Sequence, residues 1–233
     1  MRRDRKDGAG NAALATRIPV PRMLMRADPF RLLGCRAHEG EQSMRNTRVL
    51  TMVETALCVA LAVVLARIIL FEAPQGGAIS LEMLPVMVLA LRRGARAGLI
   101  AGVLTGVALL MFKPITVHWA QVVLDYPLAF GAIGLTALGA GAWRAAVAGG
   151  RTARAVWTVV VPACVLGGAA RFVPHFISGV IFFGQYAPKG QPVVLYSLLY
   201  NGGYMLPATI ICTAAAALLV PALERAVPAA GRA

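Results

Sequence analysis

The sequence predicts an all-α membrane protein, a bundle of about six transmembrane helices with both termini in the cytoplasm. Of its 233 residues, 58% are hydrophobic, and the mean hydropathy is +0.70. Only 14% are Asp, Glu, Lys or Arg, whereas about 25% of the residues in an average soluble domain are charged. A water-soluble fold of this length does not require so much apolar surface, so we expect the excess to face lipid.

Six apolar runs are the candidates for these helices. A helix that crosses the hydrocarbon core needs about 20 consecutive, mostly apolar residues. The second run is short and contains Pro85, and the fifth is long enough to break near Pro174 or to end before Gly184. The runs cover residues 49–71, 80–92, 95–112, 121–143, 155–183 and 195–223.

The arginines between the runs predict which loops face the cytoplasm. Every second connection is rich in arginine, and these connections contain Arg92, Arg93, Arg96, Arg144, Arg151, Arg154, Arg225 and Arg232. The alternate connections, 72–80, 113–120 and 184–194, hold two lysines and no arginine. Because Lys and Arg accumulate in cytoplasmic loops, the pattern predicts a multi-pass protein of the plasma membrane with cytoplasmic termini.

The segments outside the runs are predicted to be tails. We expect residues 1–47 to be a basic, disordered tail, residues 48–224 to form the six-helix domain, and residues 225–233 to be a short C-terminal tail. The basic residues flank apolar runs and form no separate domain, so they predict a membrane protein and not nucleic-acid binding. Met44 stands just before the first run, and residues 1–43 are therefore expected to be dispensable.

No motif in the sequence predicts catalysis, a metal or a cofactor. The chain lacks His-Glu-x-x-His, Gly-x-Ser-x-Gly and a Gly-rich phosphate loop with lysine. Its four cysteines form no Cys-x-x-Cys pair, and we expect them to be small core residues. Ser178, three residues after His175, is the serine that an intramembrane-hydrolase hypothesis would use.

The few polar side chains inside the runs predict a binding site, since charged groups are costly in a membrane and usually functional. Asp125 lies early in the fourth run, and Arg171 and His175 share one face of the fifth because they are four residues apart. Tyr196 and Asn201 open the sixth run. In the predicted topology all lie in the outer half of the bundle, where they suit a small polar ligand with a ring. A structural Asp125–Arg171 ion pair is the alternative.

Four stretches are distinctive when they are taken together. They are Gly-Gly-Ala-Ile-Ser-Leu-Glu-Met-Leu-Pro (76–85) followed by Leu-Arg-Arg-Gly (91–94), Leu-Asp-Tyr-Pro-Leu-Ala-Phe (124–130), Arg-Phe-Val-Pro-His-Phe-Ile-Ser-Gly-Val-Ile-Phe-Phe-Gly-Gln-Tyr-Ala-Pro (171–188) and Tyr-Ser-Leu-Leu-Tyr-Asn-Gly-Gly-Tyr (196–204). In these stretches the chain resembles the thiamine-specific substrate-binding components of energy-coupling factor (ECF) transporters.

The resemblance implies an ATP-driven vitamin uptake system in the plasma membrane. The chain would be the six-helix membrane subunit that binds thiamine near its outer face, under a loop that acts as a lid. Its partners would be a coupling transmembrane subunit and two cytoplasmic ATPases. The family's ligand-binding positions fall on Asp125, His175, Tyr196, Asn201, Phe183 (where the family has tryptophan) and the nearby Trp119. The alanines of the first helix that contact the coupling subunit fall on Ala56, Ala60, Ala62 and Ala66.

The same residues leave three alternatives open. The ligand could be a thiamine precursor or another vitamin. The chain could be a stand-alone secondary transporter driven by protons or sodium ions, with Asp125 and His175 as a proton relay. An intramembrane enzyme using Ser178 is the third alternative, which the missing motifs disfavour.

Overall fold

The structure, a computed structural model, describes residues 29–112 and 114–227, with side chains from residue 47 onward. The chain divides into two units, residues 1–43 and 44–233. Helix α1 comprises Pro29–Leu65, so residues 29–47 of the expected disordered tail are helical. The rest of that expected tail, residues 1–28, lies outside the described range. The apolar part of α1, Thr47–Leu65, corresponds to the first predicted run.

A short antiparallel hairpin and two helices follow α1. The hairpin pairs β1 (Phe71–Glu72) with β2 (Ala78–Ile79). Helix α2 (Met83–Arg93) and helix α3 (Ala95–Phe112) come next. They are separated only by Gly94, whose φ of 90° lies in the left-handed region that favours glycine.

Two long helical segments that change their helical type follow, and then one long α-helix. The first segment consists of α4 (Trp119–Val123), a π-helical turn (Leu124–Leu128), α5 (Ala129–Ala132), a 3-10 stretch (Ile133–Gly139) and α6 (Ala140–Ala148). The second consists of α7 (Thr152–Ala155), a π-helical turn (Val156–Val160) and α8 (Val161–Phe182). A 3-10 turn (Gly184–Tyr186) then leads to α9 (Val193–Ala226).

Within the described residues, five helical segments are long and apolar enough to cross a membrane. They are Thr47–Leu65, Ala95–Phe112, Trp119–Ala148, Thr152–Phe182 and Val193–Ala226. The second predicted run forms α2, which has only 11 residues, and its Met83, Val86, Met87 and Leu91 have no exposed surface. The predicted bundle of about six helices is therefore confirmed, with α2 as a short core helix. The cytoplasmic location of the termini stays a prediction.

The π-helical turn at Leu124–Leu128 has a cause in the sequence. Pro127 has no N–H, and its ring clashes with the carbonyl four residues earlier, so a regular α-helical turn is disfavoured. Turns of this kind are frequent at functional sites, and this one carries Asp125. The fifth predicted run does not break at Pro174, because α8 continues to Phe182.

The glycines of α3 let the helix approach its neighbours closely. A Cβ atom at Gly102 would overlap the carbonyl oxygen of Phe130, and one at Gly106 would overlap that of Tyr126. A Cβ at Gly98 would meet Ala90 of α2. Small residues at four-residue spacing are a known means of close helix packing in lipid, and here they bring α3 against the segment that carries Asp125.

Helix α1 lies at the edge of the bundle and presents two of the four predicted contact alanines outward. Ala56 and Ala60 are exposed, and Ala66 is half-buried. Ala62 has no exposed surface, so it faces the bundle and not the outward side, and its contact with a partner subunit stays a prediction. It lies seven residues after the buried Thr55, which places both on the face of α1 turned to the bundle.

The packing of α3 gives a prediction about stability. Gly102→Ala should lower the melting temperature of the purified protein in detergent, because overpacking costs about 1–3 kcal/mol. Gly141→Ala is the matched control, since a Cβ there meets nothing within 4 Å and alanine has a helix propensity about 1 kcal/mol better than glycine. Equal melting temperatures for the two variants would contradict the close packing at Gly102.

Candidate ligand-binding cavity

A cavity of about 200 Å³ opens at the end of the bundle where the hairpin lies. Its wall combines the end of α1, the hairpin, α3, the π-helical turn and helices α8 and α9. The polar and aromatic side chains that line it include Glu72, Gln75, Glu82, Gln121, Asp125, Tyr126, Arg171, His175, Ser178, Phe183, Tyr196, Tyr200, Asn201 and Tyr204. A concave site with an apolar wall and a few convergent polar groups is typical of small-molecule binding.

The carboxylate of Asp125 is held by two neutral donors. Its Oδ2 accepts a hydrogen bond from Gln121 Nε2 at 2.7 Å and another from Ser178 Oγ at 2.9 Å. Gln121 is one turn earlier in the same segment, and Ser178 comes from α8. Both donors are almost fully buried, so they fix the orientation of the carboxylate. Oδ1 is the carboxylate oxygen that these two donors do not bind.

Two buried polar atoms at this point have unused hydrogen-bonding capacity. Asp125 Oδ1 lies 3.1 Å from His175 Nδ1. Among the described residues, neither Asp125 Oδ1 nor His175 Nε2 makes a hydrogen bond of good geometry. Buried polar atoms are nearly always hydrogen-bonded in native proteins, and both residues line the cavity. A ligand with polar groups of its own can supply the missing partners.

Ser178 does not have the geometry of a nucleophile in this site. Its hydroxyl donates to Asp125 and not to His175. An activated serine needs a base within hydrogen-bond reach of its proton. The arrangement therefore orients a carboxylate and gives no support to the intramembrane-hydrolase hypothesis.

Arg171 forms its ion pair with Glu82 and not with Asp125. Arg171 Nη2 lies 2.6 Å from Glu82 Oε1, and its guanidinium carbon is 4.1 Å from the centre of the Phe130 ring. Both side chains of the pair are largely buried, which is the arrangement that a charge in an apolar interior requires. The alternative Asp125–Arg171 pair is absent from the described residues, so the charge of Asp125 is not neutralised by this arginine.

The amide of Asn201 is oriented by its neighbours on α9. Its Oδ1 accepts a hydrogen bond from Tyr204 Oη at 2.9 Å, and its Nδ2 donates to the carbonyl oxygen of Ser197 at 3.0 Å. The side chain lines the cavity close to α8, where a Cβ at Gly179 would collide with Ser197. Asn201 is thus present in the cavity wall as predicted, with its amide orientation already set.

The hairpin is attached to α9 through a tyrosine hydroxyl. Tyr200 Oη accepts hydrogen bonds from the backbone N–H of Gln75 at 3.0 Å and of Gly77 at 3.4 Å. Tyr196 Oη donates to Gln75 Oε1 at 3.4 Å. Gly77 packs directly on the Tyr204 ring, where no Cβ would fit. Contacts from three successive turns of α9 therefore hold the hairpin against the cavity.

The loop before α4 is attached in the same manner. Tyr126 Oη accepts a hydrogen bond from the backbone N–H of Ile115 at 2.9 Å. Gln121 accepts from the N–H of Val117 through Oε1 and donates to the carbonyl of Ile115 through Nε2, both at 3.1 Å. Because Nε2 of Gln121 also reaches Asp125, the loop and the carboxylate are fixed by the same side chain.

The structure brings five of the six predicted ligand-binding residues together. Asp125, His175, Phe183, Tyr196 and Asn201 all line the cavity. Trp119 does not, because it lies on the first turn of α4 with 74% of its surface exposed and its ring beside His118. Gln121, two residues later, takes the inward position instead. Sequence reasoning did not assign Gln121 and Ser178 to the ligand-binding site.

Comparison with known proteins gives a consistent result. The family described as thiamine transporter protein (Thia_YuaJ) matches residues 52–227. The thiamine transporter ThiT of Bacillus subtilis (strain 168) is 39% identical over 178 residues, which are 75% of this chain and 92% of the relative. The thiamine transporter ThiT of Lacticaseibacillus paracasei is 32% identical over 171 residues, 72% of this chain and 85% of the relative.

A solved structure supports the same relationship. The structure of ThiT from Listeria monocytogenes superimposes with a TM-score of 0.70 at 30% identity, covering 76% of this chain and 97% of that one. The matched family consists of membrane transporters and is not enzymatic, which confirms the predictions of a multi-pass plasma-membrane protein and of a chain that is not an enzyme. On this evidence the chain belongs to the thiamine transporter protein family.

Proposed function

We propose that this chain is the substrate-binding membrane subunit of an ATP-driven ECF-type uptake transporter and that it binds thiamine in the cavity under the hairpin. The observation that carries the proposal is the Asp125 carboxylate in the cavity wall, whose buried Oδ1 lies 3.1 Å from His175 Nδ1 and makes no hydrogen bond of good geometry with any described residue. Thiamine is proposed as the ligand because the similar proteins are named thiamine transporters.

The chemistry of thiamine suits this wall. Thiamine joins an aminopyrimidine to a positively charged thiazolium ring. Asp125 supplies negative charge and an acceptor, and His175 and Asn201 add hydrogen bonds. Phe183 and Tyr196 offer aromatic faces for the two rings. Phenylalanine attracts a cation less strongly than tryptophan does, so Asp125 carries more of the cation recognition here.

The energy for uptake comes from partner subunits in this proposal. The sequence has no phosphate-binding loop, so a coupling transmembrane subunit and two cytoplasmic ATPases supply it. The exposed Ala56 and Ala60 of α1 are the contact with the coupling subunit, because small residues let two helices approach closely in lipid.

One observation favours an alternative. The 3.1 Å approach of Asp125 and His175 is also what a proton relay in a secondary transporter would use. Uptake by vesicles that contain the chain alone, driven by an ion gradient, would favour this alternative. Uptake that requires the coupling subunit, the ATPases and ATP supports the ECF-type assignment. Competition by the isolated pyrimidine tests the other alternative, a thiamine precursor as ligand.

Replacing the carboxylate tests the ligand assignment. Asp125→Asn should weaken thiamine binding roughly thirtyfold or more, because losing one partner of a buried charged hydrogen bond costs about 2–5 kcal/mol. The measurement is isothermal titration calorimetry of the purified, detergent-solubilised chain. Trp119→Phe is the control and should bind like the unchanged protein, since this ring is outside the cavity. A loss below about threefold in Asp125→Asn would remove Asp125 from the site.

The hairpin contact gives a kinetic prediction. Tyr200→Phe removes the oxygen that accepts two backbone hydrogen bonds from the hairpin and keeps the ring. Each such bond contributes about 0.5–1.5 kcal/mol, so thiamine should dissociate about tenfold faster, with a smaller change in the association rate. Stopped-flow displacement measures both rates. Tyr186→Phe is the matched control, and equal dissociation rates in the two variants would show that the hairpin does not retain the ligand.

A further inference from the structure

An ion pair far from the cavity joins α1 to α2. Arg93 Nε lies 2.5 Å from Glu54 Oε2, and Arg93 Nη2 lies 2.6 Å from Glu54 Oε1. This is the two-pronged geometry that makes arginine–carboxylate pairs directional. The Arg93 side chain is 5% exposed and that of Glu54 is 23% exposed. The neighbouring Arg92 donates to the carbonyl oxygen of Val227 at 2.8 Å, so the residue that follows α9 contacts the same end of α2.

The ligand cavity does not require this pair. Glu54 is 12 residues before Ala66, which directly follows α1 and is the first residue along the chain that lines the cavity, and 12 residues correspond to about 18 Å along a helix. A charged pair in an apolar environment often stabilises a fold less than apolar residues of the same size would. Ionisable groups inside membrane spans usually have a function. The pair therefore calls for a role other than ligand binding.

The buried side chains that α1 turns to the bundle are small. Where the side chains of α1 are described, the buried residues are Thr55, Cys58 and Ala62, and Val59 is partly buried against the core. None of them has a long side chain that could define the rotation of the helix about its axis. The bidentate pair at Glu54 is directional, so it is the contact best able to define that rotation.

Helix geometry relates Glu54 to the outward face. Counting ~100° per residue, Ala56 lies about 200° and Ala60 about 240° from Glu54 around the axis. The other residues of this outward face are apolar and exposed, and they include Val49, Met52, Val53 and Leu57. When Glu54 is bound to Arg93, the two alanines are thus turned away from the bundle.

We propose that the Glu54–Arg93 ion pair fixes the rotation of α1 and thereby presents the Ala56–Ala60 face to a transmembrane helix of the coupling subunit. This inference rests on the proposed function, in which that subunit is the partner. Glu54 and Arg93 are positioning residues, since they act through α1 and touch neither thiamine nor the partner.

The test separates ligand binding from assembly. Glu54→Gln, Arg93→Gln and the exchanged pair Glu54→Arg/Arg93→Glu are compared with the unchanged chain. Arg96→Gln is the matched control, because it removes an exposed arginine from the same end of the bundle. Thiamine affinity is measured on the purified chain, and assembly is measured as capture of the chain by the tagged coupling subunit with its ATPases.

The expected result is a selective loss. The two single variants should bind thiamine within about twofold of the unchanged chain. The coupling subunit should capture them about tenfold less well, a change of the size usual when one site affects another. The exchanged pair should recover most of the capture, and Arg96→Gln should behave like the unchanged chain.

Other outcomes overturn the inference in distinguishable ways. Undiminished capture of Glu54→Gln shows that the pair does not position α1. Loss of thiamine binding along with capture makes the pair a general folding element. Failure of the exchanged pair to recover capture assigns the effect to the single charges. If the unchanged chain binds no thiamine, the proposed ligand is wrong. If the unchanged chain is not captured at all, the proposed partner is wrong, and the positioning role of the ion pair falls with it.

Discussion

The orientation of the Asp125 carboxylate is the constraint on which the rest of the site depends. The π-helical turn that Pro127 favours carries Asp125, and Gln121 and Ser178 bind Oδ2. Gln121 also binds the loop before α4, and Ser178 connects the carboxylate to α8. With Oδ2 occupied, the remaining oxygen lies 3.1 Å from His175 Nδ1, and both residues line the cavity. In the proposed function the ligand meets a carboxylate whose position is already determined, which lowers the entropic cost of binding.

The ionisable residues inside the bundle are divided between structural and functional roles by their partners. Arg171 is neutralised by Glu82, and Arg93 by Glu54, each through contacts of 2.5–2.6 Å. Among the described residues, Asp125 is bound by the neutral donors Gln121 and Ser178 and lies beside His175. In an environment of low dielectric constant a carboxylate without a permanent cation beside it is costly, and in the proposed function the thiazolium ring supplies that positive charge.

Sequence reasoning found the residues whose polarity is unusual in their surroundings and missed the contacts that these and other side chains make with backbone atoms. Asp125, His175 and Asn201 stand out because they interrupt apolar runs. Tyr200 acts on a hairpin backbone more than 120 residues away in sequence, and no periodicity predicts such a contact. Trp119 and Ala62 face other directions than expected, for a different reason. Each is on the correct helix, but the side of the helix that faces the bundle is decided by tertiary packing.

Helix α2 connects the two functional regions of the molecule. Glu82, which binds Arg171 beside the cavity, stands immediately before it, and Arg93, which binds α1, ends it. Its 11 residues span about 16 Å, and nine of them are buried. Glu82 and Arg93 are therefore held at opposite ends of one buried helix, each by an ion pair with a different element. The helix that is too short to span the membrane thus fixes the separation between the cavity wall at Arg171 and the contact with α1 at Glu54.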